Sequence, residues 1–117
     1  MGIDIELDWE NKDGVQVVRL SGRLDLSKSE SFENAVVERI QAEPRNLVIN
    51  LSKVTYMSSS GIRALLASYR QLGAVDRRMC LCEVSPVVKK VMDVVEIGQV
   101  FSIYDQESEA IAAMAAD

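Results

Sequence analysis

Histidine is missing altogether from the 117 residues. Its absence removes Ser-His-Asp and Cys-His nucleophile systems, imidazole-held metals, and the commonest general base near neutral pH. Cysteine is almost as scarce. Cys80 and Cys82 sit two apart in an apolar run, so in a strand both thiols point to one face at neighbouring levels. A disulfide there is strained, and two thiols without further Cys or His make a poor zinc site. They read as buried strand cysteines of a chain kept in a reducing cytoplasm. Long apolar runs are lacking too: 46–51 and 62–67 fall far short of the roughly 18 residues of a membrane span. The start carries Asp4, Glu6, Asp8 and Glu10 where a secretory leader would be basic and then apolar. Basic charge is in deficit, with 13 Lys and Arg against 18 Asp and Glu and a net charge of −5, which speaks against a nucleic-acid partner. No catalytic group, metal ligand set or cofactor loop is expected.

What remains is an ordinary globular composition, 48% hydrophobic and 26% charged, of a length that suits one domain over 1–117. Ile3, Ile5, Leu7 and Trp9 alternate with acids, the period-two signature of a strand with one solvated face. Trp9 itself reads as core or edge packing. Asn11-Lys12-Asp13-Gly14 supplies a turn and Val15–Leu20 the return strand, so the chain opens with a hairpin. Ser21–Asp25 breaks the pattern, and Ser27-Lys28-Ser29-Glu30 fits a capping box. The helix predicted from there carries Phe32, Ala35, Val36 and Ile40 on one stripe through about Ala42, and Pro44 stops it.

Asn46–Leu51 is short, apolar and β-branched, as a central strand buried on both faces should be. Ser52–Ser60 reads as a loop. A second helix is predicted from Gly61, with Ile62, Leu65, Leu66, Tyr69 and Leu72 on one stripe and Gly73 as its stop. Arg77–Cys82 reads as a strand. Ser85-Pro86 then starts a helix with Val87, Val88, Val91, Met92 and Val95 inward, ended by Gly98. Phe101–Tyr104 is a weak last strand, and Glu107–Ala116 is helix-prone with a fraying end. The expected fold is α/β, a mixed sheet with helices packed against it, in the order β-β-α-β-α-β-α-β-α.

One segment concentrates polar groups at a strand-to-helix junction, where function gathers in open α/β sheets. It is the serine triplet Ser58-Ser59-Ser60, followed by Gly61. Serines before a helix are ordinary N-caps, and a cap explains one of them or two. A hydrolase elbow would need Gly-x-Ser-x-Gly and a base, and a phosphate loop would need more glycines and a Lys. A serine that itself accepts a phosphoryl group is compatible with the site, because a helix N-terminus stabilises added negative charge.

The stretch Asn50-Leu51-Ser52-x-Val54-x-x-Met57-Ser58-Ser59-Ser60-Gly61-Ile62-x-x-Leu65-Leu66 resembles the signature of STAS-domain anti-sigma-factor antagonists, Asp-Leu-Ser-x-Val-x-x-Met/Ile-Asp-Ser-Ser-Gly-Leu-x-x-Leu. Gly22-Arg23-Leu24-Asp25 likewise resembles the family's Gly-x-Leu-Asp turn. The resemblance implies the STAS fold and partner switching in the bacterial cytoplasm, without direct nucleic-acid contact or membrane insertion. The unphosphorylated antagonist binds an anti-sigma factor that is also a GHKL-type serine kinase and so frees the sigma factor. The kinase then phosphorylates the antagonist, and a PP2C-type phosphatase restores it.

The family pattern carries the phosphoacceptor onto Ser59, with Ser58 and Ser60 as alternatives. Partner contacts fall on Asp25, Ser58, Ser60, Gly61 and Arg63. Ser58 stands where the family has Asp, and Asn50 replaces the Asp before Leu-Ser. By its residue type Asp25 reads first as a cap or turn residue, and Arg63 with Arg70 reads equally as a solvated helix face or a kinase contact. The family also includes non-phosphorylated subunits that dock on ATPases of lipid-transport or stress-signalling complexes, which is the alternative role. Anion-transporter tails are set aside by the lack of a spanning segment.

Overall fold

The computed structural model describes residues 5–94 and 100–115, without the side chain of Val94. Strands β1 (Glu6–Lys12) and β2 (Val15–Leu24) form the opening hairpin, followed by α1 (Leu26–Ala42), β3 (Leu47–Met57) and α2 (Ser59–Gly73). Then come β4 (Met79–Cys82), α3 (Pro86–Val94), β5 (Ser102–Tyr104) and α4 (Glu107–Ala115). The order is the expected one. The sheet runs β1-β2-β3-β4-β5, with β1 antiparallel to β2 and the other neighbours parallel.

Asp13 (φ 53°) and Gly14 (φ 78°) both take left-handed backbone, the two-residue turn whose twist matches a hairpin. Each later strand lies next to its predecessor in the same direction. Right-handed crossovers therefore bring α1, α2 and α3 to one face, where Phe32, Val36, Leu65, Leu72, Val88 and Met92 pack on Leu20, Ile49, Leu51 and Leu81. The other face is left for α4, whose Ala110, Ile111 and Met114 cover Val15, Val17, Val48, Cys80 and Cys82. Both cysteines are buried, as their pattern suggested.

Several boundaries differ from the sequence expectation, and each has a local cause. The segment read as a loop, Ser52–Ser60, is strand as far as Met57, and Ser21–Leu24, read as a break, pairs with it. Two register irregularities, between Arg19 and Ser21 and between Gly22 and Arg23, account for the misreading. They space the buried residues Leu51, Val54 and Met57 by three rather than two, so no alternation survives. Helix α1 is capped by Asp25, not by a Ser27–Glu30 box. Helix α2 starts at Ser59 rather than Gly61 and includes Gly73; the left-handed turn residue after it is Asp76, φ 59°. Val87 faces outward, 55% exposed, and Tyr69 is only partly covered, edge-on to Phe101. The strands expected from Arg77 and Phe101 begin at Met79 and Ser102. Ile3, Asp4, Val95, Gly98 and Ala116 lie outside the described residues.

Candidate functional site

Two strand ends meet at the carbonyl of Leu24. It accepts the Ser58 backbone N–H at 3.1 Å and the Ser58 hydroxyl at 3.4 Å. Gly61 is buried against the same group: a Cβ at that position would stand 2.6 Å from the Leu24 oxygen. The glycine is therefore needed for close approach. It lets the first turn of α2 press onto the end of β2, and it ties the β2–α1 turn to the β3–α2 turn.

The three serines separate into three roles. Ser58 has extended backbone and is the N-cap of α2; its Oγ accepts the Gly61 N–H at 3.3 Å while its carbonyl accepts the Ile62 N–H at 3.1 Å. A cap of this kind is worth about 1 kcal/mol. Ser59 is the first helical residue and is exposed. Among the described residues no hydrogen bond holds its hydroxyl. Ser60, one residue on, is half-buried and lines an open groove between α1 and α2, together with Leu26, Glu30, Glu33 and Arg63.

Asp25 caps the neighbouring helix. Its Oδ1 accepts from the Ser27 N–H at 3.1 Å, the Ser27 hydroxyl at 2.8 Å and the Lys28 N–H at 3.3 Å. These bonds, the Ser27 hydroxyl foremost, hold its carboxyl below the usual range. Beside it the Arg23 guanidinium stacks on Tyr56, 4.2 Å from the ring centroid. Asp25, Ser58, Ser60, Gly61 and Arg63 are thus gathered at one end of the sheet, around Ser59. Arg70 is not: seven residues along α2, it lies about 10 Å further down the axis. Leu26, 76% exposed at the first position of α1, was not singled out by sequence. Its one signal is an apolar residue off the Phe32–Val36 stripe, directly after the Gly-x-Leu-Asp turn.

Ser58 and Asn50, the two departures from the signature, are each held by side-chain hydrogen bonds. Ser58 keeps the capping role that an Asp would have, and its hydroxyl also donates to Leu24, which a carboxylate cannot do. Asn50 belongs to the opposite face of the sheet. Its Nδ2 donates to Glu107 Oε1 at 2.9 Å and its Oδ1 accepts the Ser52 N–H at 2.9 Å; an Asp there would set two carboxylates against each other. Glu107 is held below the usual carboxylate range chiefly by Arg19, whose Nε and Nη2 donate to it at 2.8 Å each. Burial pushes the Cys80 and Cys82 thiols up to about 12, so neither is a ready nucleophile. Among the described residues no group of three or more acidic or cysteine side chains is arranged to hold a metal. No described helix is long and apolar enough to cross a membrane.

The STAS domain family model matches residues 6–110. An anti-sigma F factor antagonist of Paenibacillus polymyxa is 29% identical over 96% of this chain and 97% of its own length. The crystal structure of an anti-sigma factor antagonist from Mycobacterium paratuberculosis superposes with a TM-score of 0.85 at 28% identity, covering 95% of this chain and 94% of the other. The Bacillus cell fate determinant SpoIIAA in its phosphorylated form gives 0.70 at 28% identity, covering 93% and 97%.

Proposed function

The chain belongs to the STAS domain family, and on that footing we propose that it is an anti-sigma factor antagonist, switched by reversible phosphorylation of Ser59. In its unmodified form it binds an anti-sigma factor that is a GHKL-type serine kinase, so that a sigma factor is released for transcription. Phosphorylation by that kinase ends the binding, and a PP2C-type phosphatase restores it. The protein acts by stoichiometric binding rather than turnover.

The observation that carries the reading is the separation of Ser58 from Ser59. Ser58 is committed to the cap, so phosphorylating it would cost two hydrogen bonds and the start of α2. Ser59 is exposed, its hydroxyl uncommitted among the described residues, at the positive end of a 15-residue helix. A phosphate there adds a charge of about −1.5 to −2, which the first-turn N–H groups and the helix dipole accommodate. The host keeps its fold. A partner fitted to a neutral serine loop must instead desolvate that charge against unmatched groups, which costs several kcal/mol, or about a hundredfold or more in affinity.

The test combines site mapping with binding. The protein is incubated with ATP and the GHKL-type kinase encoded nearest its gene, and the phosphate is located by mass spectrometry. Phosphate on Ser58 or Ser60 alone overturns the assignment to Ser59; none at all favours an unphosphorylated docking subunit. Calorimetry and thermal melting then compare wild type, Ser59→Ala, Ser59→Asp and the enzymatically phosphorylated protein. The Ala variant should bind, the Asp variant should bind much more weakly, and the phosphorylated protein should not bind, at nearly unchanged melting temperatures. Tight binding by the phosphorylated protein, or loss through unfolding, would contradict the mechanism.

A further inference from the structure

Most polar groups near the serine loop are used by the fold, but one set is not. Leu26 is the most exposed of the large apolar side chains described, at 76%. It stands on the rim of an open groove of about 550 Å³ between α1 and α2. Glu30 and Glu33 line the α1 wall, and Ser60 and Arg63 the α2 wall. Among the described residues neither carboxylate nor Arg63 forms an ion pair. The groove thus combines a bare apolar contact, an acidic wall and a single cation, and none of these serves the core. Ser60 belongs both to it and to the serine triplet.

We propose that this groove docks a segment of the anti-sigma partner, one that sets an apolar side chain against Leu26 and a basic side chain between Glu30 and Glu33. The inference rests on the partner-switching reading and names where on the chain the partner holds. Leu26 supplies the desolvated anchor, and the two carboxylates supply orientation and a faster encounter. Charge complementarity selects the occupant: two unpaired carboxylates on a chain of net charge −5 call for a basic segment. A second copy of this acidic chain fits less well, and seated there it would also cover Ser59 from its kinase. The docked segment lies beside the serine, so a phosphate on Ser59 is felt by the partner at once.

The experiment measures, by calorimetry, binding of the unphosphorylated full chain to the GHKL-type kinase encoded nearest its gene. Leu26→Ala should weaken binding by about tenfold or more. The double variant Glu30→Gln, Glu33→Gln should weaken it by about threefold to tenfold and flatten its dependence on salt. Val87→Ala, which trims the next most exposed of the large apolar side chains described, on α3, should change nothing, and all melting temperatures should agree with wild type. The inference falls if Leu26→Ala binds like wild type while phosphorylated protein does not bind; the partner-switching reading then stands. It also falls if Val87→Ala weakens binding as much, or if Leu26→Ala alters the sedimentation of the protein alone, which would make the groove a contact between copies. No binding by the wild type overturns the reading and the inference together.

Discussion

The two faces of the sheet treat their polar groups in opposite ways. Beneath α4, Arg19 gives two bonds to Glu107 and pairs with Glu10 at 2.8 Å, Asn50 uses both ends of its amide, and the Glu107 N–H donates to Glu83. Every partner is answered, and the arrangement pins α4 to β2 and β3. At the serine end, Asp25 and Ser58 are answered in the same way by backbone. Around them, however, Ser59, Leu26, Glu30, Glu33 and Arg63 have no partner of their own among the described residues. A satisfied network specifies one arrangement of the fold. Unused groups clustered beside a rigid cap are what a second molecule can recognise.

The sharpest way to break this contrast is to strike the contact that holds the serine end together. Gly61→Ala drives a Cβ to within 2.6 Å of the Leu24 backbone oxygen. Alanine normally gains about 1 kcal/mol over glycine inside a helix, but a carbonyl in a paired strand cannot move aside. The variant should lose about 3 kcal/mol in denaturant unfolding and should bind the kinase partner poorly. Unchanged stability would mean that the two turns are not clamped.

The α4 face should respond in stability alone. Arg19→Met leaves Glu107 without its main partner; because the two side chains keep 27% and 16% exposure, the loss should be about 2 kcal/mol, below the range for a fully buried pair. Phosphorylation of Ser59 and partner binding should be unaffected. The pH dependence has a definite sign: Glu107's folded pKa lies below its unfolded value. Its contribution is complete above the unfolded pKa of about 4.3 and is lost as pH falls through the lowered folded value. The variant should show a flatter acid limb than wild type in urea melts taken from pH 6 to pH 2.

Ser58 should give a smaller effect. Ser58→Ala should cost about 1 kcal/mol, and Ser58→Asn only a few tenths, as capping residues do. Mass spectrometry should find Ser59 phosphorylated in both. The smallest effect concerns the cysteines. With thiols at about 12 in the fold against about 8.5 unfolded, they contribute fully below the unfolded value and lose that contribution only as pH rises toward the folded one. Between pH 6 and 8 stability should not change on their account, and alkylation with iodoacetamide should be slow until denaturant is added.

Much of this was legible in the chain. The element order followed from periodicity, and the signature around Ser59 was visible as residues. Element ends were less so, and Leu51, Val54 and Met57 show why: their spacing of three comes from strand irregularities that depend on the pairing with β2. At the start of α1 the sequence offers two caps: Ser27 and Glu30 satisfy the local capping-box rule, and Asp25, a cap by its residue type, is the one that holds once β2 ends at Leu24.

By itself, then, the sequence determined which chemistry was open to this protein, through the missing histidine, the acidic balance and the serine triplet, because those are properties of side chains wherever they sit. It also determined the alternation of strand and helix, because hydrophobic period is local. Only the tertiary structure decided which serine is a cap and which is free, since that depends on the Leu24 carbonyl 34 residues away. It likewise decided that Asn50 answers Glu107 across a separation of 57 residues, and that Leu26, Glu30, Glu33 and Arg63 share one groove. Hydrogen-bond satisfaction and burial are relations between distant segments, and no local pattern encodes them.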